Sequence, residues 1–108
     1  MTEPRKGAPG ERREKQPSEY MLRLYLSSAA PLSARAVVNT RAFCEKYLAG
    51  KYELEILSIA EHVKLAAEDQ VIAAPTLVRL RPLPPRKFIG DMSNSARLLD
   101  GLELRGLG

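Results

Sequence analysis

Two strand-like segments separated by one helical segment most strongly constrain how this chain can fold. Leucines alternate with other residues over residues 20–26, which is the two-residue period of a β-strand. A second alternating segment, residues 52–59, sets Leu54 and Ile56 against glutamates. Two strands joined by a single helix pair in parallel through a right-handed crossover. We therefore predict a β-α-β unit and expect its second strand to be central in a sheet.

The connecting helix is predicted over residues 33–48. Ser33 is a suitable N-cap, and Gly50 suits the left-handed residue that follows a helix end. Within the helix, apolar and small side chains recur at three- and four-residue intervals and predict one face that packs on the sheet. These residues are Val37, Thr40, Cys44, Tyr47 and Leu48.

The second half of the chain predicts a helix, a hairpin and a last helix. Residues 60–74 are rich in Ala and Glu and are followed by Pro75. The three prolines within residues 81–85 have no N–H to donate, so this segment predicts the bend of a hairpin or an exposed edge. The predicted hairpin strands are residues 76–80 and 86–89, and the last helix is capped by Ser93 or Asn94 and runs through Leu98 and Leu99.

This order of elements, βαβαββα with a proline just ahead of a strand, is the plan of the thioredoxin superfamily. Redox enzymes built on it need a low-pKa cysteine at the N-terminus of the first helix. The only cysteine here, Cys44, lies in the middle of that helix on its apolar face, where burial raises a thiol pKa. We predict a thioredoxin-like α/β fold that is not an enzyme, with a thioredoxin-like thiol enzyme as the alternative.

Other chemistry has little support in the sequence. The lone His62 has no catalytic or metal-binding residue at useful spacing, so we predict that it is a surface histidine. The sequence also has no glycine-rich phosphate loop and no cluster of metal ligands, so we expect no cofactor and no metal. Residues 24–26 resemble the shorter aromatic motif of RNA-recognition domains, but the longer motif is missing and the chain has four Tyr, two Phe and no Trp. We therefore expect no nucleic-acid partner.

Charge and composition distinguish the first 18 residues from the rest of the chain. The 108 residues carry a net charge of +4, and residues 1–18 hold five basic and three acidic side chains among prolines and glycines. This composition predicts a disordered basic extension over 1–18 ahead of one domain over 19–108. The absence of a long apolar segment predicts a cytoplasmic protein without membrane contact.

The densest group of cations lies near the predicted hairpin. Four basic side chains fall within nine positions without an acidic one among them: Arg79, Arg81, Arg86 and Lys87. Such a group would present an electropositive edge to an acidic partner, or it would protect an outer strand from unwanted pairing. The sequence leaves both interpretations open.

Six short segments, in this order and spacing, resemble the KaiB family of circadian clock proteins over about residues 20–104. They are Tyr20 to Leu26, Pro31 with Ser33 to Ala36, Leu65 to Gln70, Ala73 to Leu77, Ile89 to Ser93, and Gly101 to Leu104.

This resemblance implies a clock or clock-like regulator that binds the KaiC ATPase ring. In the cyanobacterial system it also implies recruitment of KaiA and competition with a KaiB-like sensor kinase. The family's resting form, a homotetramer or dimer, arranges the C-terminal half differently from the thioredoxin-like monomer that binds KaiC. We expect residues 51–104 to be the switching half, and a KaiB-like adaptor in stress signalling without a rhythm is an alternative. The expected contact residues are Arg23, Arg35, Arg79 and Lys87.

Three residues are expected to bias such a fold switch. Pro75 fits the position at which thioredoxin-like folds carry a cis proline. Gly101 lies within the last predicted helix, where glycine is about 1 kcal/mol less favourable than alanine. Glu103 places negative charge at the negative end of the same helix. On helix propensity alone, Gly101→Ala should favour the thioredoxin-like form and accelerate KaiC capture.

Overall fold

A four-stranded mixed sheet with helices on both faces forms the body of the protein. The computed structural model describes residues 18–102, so most of the predicted extension over 1–18, as well as Glu103, lies outside the described residues. The strands are β1 (Tyr20–Leu26), β2 (Tyr52–Ser58), β3 (Thr76–Arg81) and β4 (Arg86–Ile89), and the helices are α1 (Ser33–Tyr47), α2 (Val63–Glu68) and α3 (Ser95–Gly101), with a 3-10 turn over Ile59–Glu61. Their order is the predicted βαβαββα.

The strand order across the sheet is β2-β1-β3-β4. β1 pairs in parallel with β2, with Leu22 opposite Leu54, and pairs antiparallel with β3 on its other side. The predicted parallel crossover is confirmed, but the prediction that the second strand is central was wrong. Because β3 takes the free side of β1, β2 is left at the edge, and its exposed Glu53 and Glu55 suit that position.

α1 and α3 pack against one face of the sheet and enclose the larger core. From the sheet, this core contains Leu22, Leu24, Leu77 and Phe88. Of the predicted α1 face, Thr40, Cys44 and Leu48 are buried, and Val37 and Tyr47 are half-buried. The helix residues buried in this core are Ala36, Phe43, Cys44 and Leu98, together with Leu48 and Leu102, which directly follow α1 and α3.

The ends of α1 and α3 match the predictions in part. Ser33 does not cap α1: its hydroxyl donates to the Ser27 carbonyl oxygen at 3.0 Å and accepts from the Ser27 N–H at 3.2 Å. Gly50 has the expected positive φ of 78° after the helix end. Asn94 caps α3, because its side-chain oxygen accepts from the Arg97 N–H at 3.0 Å.

The second helix is much shorter than predicted. In place of a helix over residues 60–74, the 3-10 turn is followed by six residues of α2, and the chain then leaves helical geometry at Gln70, which has φ of 58°. Apolar residues after this point pack as a loop: Val71 contacts the smaller core formed by Tyr25, Ala66 and Val78. The helix-favouring composition of this segment is overridden by its tertiary contacts.

Asp69, directly after α2, ties this helix to the central strand. One carboxylate oxygen accepts hydrogen bonds from Tyr25 Oη at 2.5 Å and from Arg23 Nη1 at 2.9 Å. Arg23 Nε also donates to Glu55 on β2 at 2.8 Å. Burial and the bond to Asp69 raise the pKa of Tyr25 to about 12. Since α2 is short and has no side-chain N-cap, this cluster is its main polar attachment to the sheet among the described residues.

Gly101, at the end of α3, lies directly against Phe88 of β4. A Cβ placed on Gly101 would be 2.3 Å from Phe88 Cε1 and 2.6 Å from Cζ. The Phe88 ring is buried in the larger core, so it cannot move away without disturbing its neighbours. The close approach reverses the effect of Gly101→Ala expected from helix propensity, because the methyl group would overlap the ring.

We expect Asp69→Asn to lower the free energy of unfolding by about 2 kcal/mol, since the hydrogen bonds from Arg23 and Tyr25 lose the negative charge that strengthens them in a mostly buried position. Glu68→Gln is the matched control, because Glu68 is an exposed neighbour with the same charge change. Urea denaturation of both variants measures the difference. Equal midpoints for the two variants would show that Asp69 does not anchor α2.

We expect Gly101→Ala to destabilise this arrangement, because overpacking a core by one methyl group costs about 1–3 kcal/mol and exceeds the gain in helix propensity. Phe88→Leu should make room for the methyl group. In urea denaturation, the double variant should therefore lose less stability than the sum of the two single variants. Additive losses, or a stabilised Gly101→Ala variant, would contradict the contact.

Candidate functional site

The position at which thioredoxin-type enzymes carry their reactive cysteine holds no thiol here. The segment leading into α1 contains Ala30, Pro31 and Leu32, with Leu32 at the N-cap position. Pro75 lies just before β3, and the Ala74–Pro75 peptide bond is cis, as predicted. The segment that leads into α1 therefore supplies no thiol nucleophile.

Cys44 does not replace the missing nucleophile. Its side chain has no solvent exposure and lies in the core between α1 and the sheet. Burial, together with the neighbouring charge of Glu45, raises the pKa of the thiol to about 12. The thiolate that would attack a disulfide or peroxide is therefore essentially absent near neutral pH.

A shallow groove lies next to Ala74, the residue that precedes Pro75. It encloses about 380 Å³, and Ile72 at its rim is 92% exposed. The lining side chains are apolar or small and carry no titratable group: Ser27, Ile59, Ala60, Val71, Ile72, Ala73 and Ala74. This groove can contact an apolar segment, but it offers no acid, base or nucleophile.

Other chemical groups near the surface are not arranged as a catalytic or metal site. His62 is half-buried rather than fully exposed, and its Nδ1 lies 3.0 Å from the Ser58 carbonyl oxygen at the start of α2. Within residues 18–102, no three His, Cys, Asp or Glu side chains are grouped as metal ligands, and no helix is both long and apolar enough to cross a bilayer.

The four cations expected to contact a partner do not form one surface. Arg23 and Lys87 lie on the α2 face of the sheet, while Arg35 and Arg79 lie on the side of α1 and α3. Arg23 is bound to the carboxylates of Asp69 and Glu55, and its side chain is 21% exposed. Lys87 is exposed and donates from Nζ to the Gln70 carbonyl oxygen at 2.8 Å.

Arg35 is the most available of the four. It projects from the first turns of α1 with 68% of its side chain exposed, and its Nη1 lies 3.8 Å from Asp91 Oδ2. Hydrogen bonds from Ser93 hold the pKa of Asp91 below its ordinary value, and the charge of Arg35 acts in the same direction. An anionic partner would therefore meet Arg35 beside a carboxylate that is ionised at neutral pH.

Arg79 is buried, with 1% of its surface exposed, and so lies outside any contact surface in this arrangement. It shares a sheet face with Leu77, two residues before it on β3, and that face is covered by α1 and α3. The exposed cations of the hairpin are Arg81, Arg86 and Lys87. The two-residue period of β3 puts Arg79 on the same face as Leu77. The sequence alone does not show which face of β3 the helices α1 and α3 cover.

Comparison with known proteins supports the resemblance of this sequence to the KaiB family. The KaiB domain family matches residues 23–104. The circadian clock oscillator protein KaiB of Thermostichus vulcanus is 39% identical over 85 residues, which cover 79% of each chain. The same protein of Synechococcus elongatus is 38% identical over 85 residues, covering 79% of this chain and 83% of the relative.

Solved structures confirm the thioredoxin-like fold. Mitochondrial thioredoxin 3 from Saccharomyces cerevisiae superimposes with a TM-score of 0.65 at 17% identity, over 80% of this chain and 78% of the thioredoxin. The N-terminal domain of Synechococcus elongatus SasA superimposes with a TM-score of 0.64 at 18% identity, over 84% of this chain and 90% of that domain. Fold and sequence together place this chain in the KaiB family of circadian clock proteins.

Proposed function

We propose that this protein is a clock or clock-like regulator that binds a KaiC-type ATPase ring and has no catalytic activity of its own. The observation that carries the proposal is its 39% identity, over 85 residues, to a protein named as a circadian clock oscillator. The buried thiol and the groove without titratable side chains support a binding role, because they leave the thioredoxin-like plan without its chemistry.

Of the four cations expected to contact the ring, we propose Arg35 as the principal contact residue. Arg35 stands on α1 with its guanidinium largely in solvent. Lys87 lies on the opposite side of the sheet, so one flat partner surface cannot contact both residues. Arg23 serves mainly to hold α2, and any partner carboxylate would have to compete with Asp69 and Glu55 for it.

We further propose that residues 51–104 switch between this thioredoxin-like arrangement and a second one in a resting homotetramer or dimer. The elements of this half are short: α2 has six residues, β4 has four and α3 has seven. Short elements depend on a few tertiary contacts, so the two arrangements are proposed to differ by a few kcal/mol, with the thioredoxin-like one as the minor form that the ring selects. Pro75, Gly101 and Glu103 remain the residues proposed to bias this equilibrium.

The other proposed partners follow from the same scheme. Competition with a KaiB-like sensor kinase for one position on the ring is proposed from the resemblance to the KaiB family. KaiA recruitment is proposed only for a host that contains KaiA.

The direct test measures binding of the purified protein to the KaiC hexamer of its own host. We expect a complex in which Arg35→Glu binds about tenfold more weakly, equal to about 1.4 kcal/mol, mainly through slower association. Arg41→Glu is the matched control, because Arg41 is also an exposed arginine of α1. No binding of the wild-type protein to that hexamer would refute the proposed function, whereas equal weakening by both variants would refute only the role of Arg35.

A KaiB-like adaptor in stress signalling would bind the same ring without producing a rhythm. Reconstitution of the complex with ATP separates the two functions. A sustained oscillation of KaiC phosphorylation supports the clock, and stable binding without oscillation supports the adaptor.

The alternative of a thiol enzyme makes an opposite prediction for Cys44. Because the thiol is buried and its pKa is raised to about 12, we expect no disulfide or peroxide reduction above the uncatalysed rate at pH 7. Cys44→Ser should retain KaiC binding. Turnover by the wild-type protein that disappears in Cys44→Ser would instead establish an enzyme.

A further inference from the structure

Arg79 is a charged side chain buried without adequate partners. Its Nη2 donates to the Pro84 carbonyl oxygen at 2.7 Å. Its Nε and Nη1 are both inaccessible to solvent and have no hydrogen-bond partner within residues 18–102. Unpaired buried donors are strongly unfavourable, and the penalty is larger when the group is charged.

The surroundings of Arg79 increase this penalty. Across the sheet, its neighbours are Leu22 on β1 and Arg86 on β4. Leucine offers no acceptor, and a like charge directly opposite on an antiparallel strand is destabilising. The single acceptor comes from the exposed bend between β3 and β4, so Arg79 can be solvated only if this bend opens or the second half of the chain rearranges.

We propose that burial of Arg79 sets the free-energy gap that keeps the thioredoxin-like arrangement in the minority. Formation of β3 and β4 beneath α1 and α3 forces the guanidinium out of water, while an arrangement that leaves Arg79 at the surface avoids this penalty. The inference rests on the proposed fold switch. Its first step, that Arg79 destabilises the thioredoxin-like arrangement, can be measured without the switch.

The test replaces Arg79 with methionine, which keeps an unbranched apolar chain and removes the charge. Arg81→Met is the matched control: Arg81 lies two residues along the same strand, is exposed, and gives the same change in net charge. Association with the host KaiC hexamer at fixed concentration and the monomer fraction in size-exclusion chromatography report the population of the binding form. Urea denaturation of the separated monomer reports the stability of the thioredoxin-like arrangement.

We expect Arg79→Met to associate about tenfold faster than the wild-type protein, equal to about 1.4 kcal/mol in the population of the binding form, with a larger monomer fraction. Arg81→Met should stay within about twofold of wild type, as expected for a surface substitution. An unchanged or slower rate for Arg79→Met overturns the inference while leaving KaiC binding intact.

If the wild-type protein does not bind KaiC, the proposed function fails and the urea midpoint decides the role of Arg79. A higher midpoint for Arg79→Met than for Arg81→Met supports a destabilising arginine, and an equal or lower midpoint overturns it. Arg79→Leu, a second apolar replacement, tests whether the result depends on the methionine side chain itself. If both Arg79→Met and Arg79→Leu fail to fold, Arg79 is required for folding and the inference is wrong.

Discussion

The central strand β1 is the constraint on which the rest of the structure depends. It is hydrogen-bonded on both edges and buried on both faces, with Leu22 and Leu24 toward α1 and α3 and Tyr25 toward α2. Its parallel pairing with β2 requires the crossover through α1, and its antiparallel pairing with β3 starts the second half of the fold. Even α2 is attached to it, through Arg23 and Tyr25.

The same crossover explains why the single cysteine of this chain is inaccessible to solvent. α1 must lay its apolar face on the sheet, and that face carries Cys44, whose thiol is thereby removed from solvent. The N-terminal end of α1, where a helix favours a thiolate, has no cysteine to stabilise. The surface of this scaffold displays exposed charged side chains and a small apolar groove next to Ala74.

The second half of the chain combines favourable and unfavourable local interactions of similar size. The bonds of Asp69 hold α2 in place, and Asn94 caps α3. Against them stand the buried nitrogens of Arg79 that have no hydrogen-bond partner within residues 18–102. Each contribution is about 1–3 kcal/mol, which is comparable to the balance between two conformations of one domain.

The type and order of the elements follow from the sequence, because hydrophobic period, prolines and turn residues act over a few positions. These patterns predicted β1, the hairpin strands, a cap of α3 at Ser93 or Asn94, and the burial of Cys44. Packing between elements places β2 at the edge, ends α2 early, encloses Arg79 and brings Gly101 against Phe88. These features depend on which surfaces meet across the sheet, and the spacing of residues along the chain does not encode that choice.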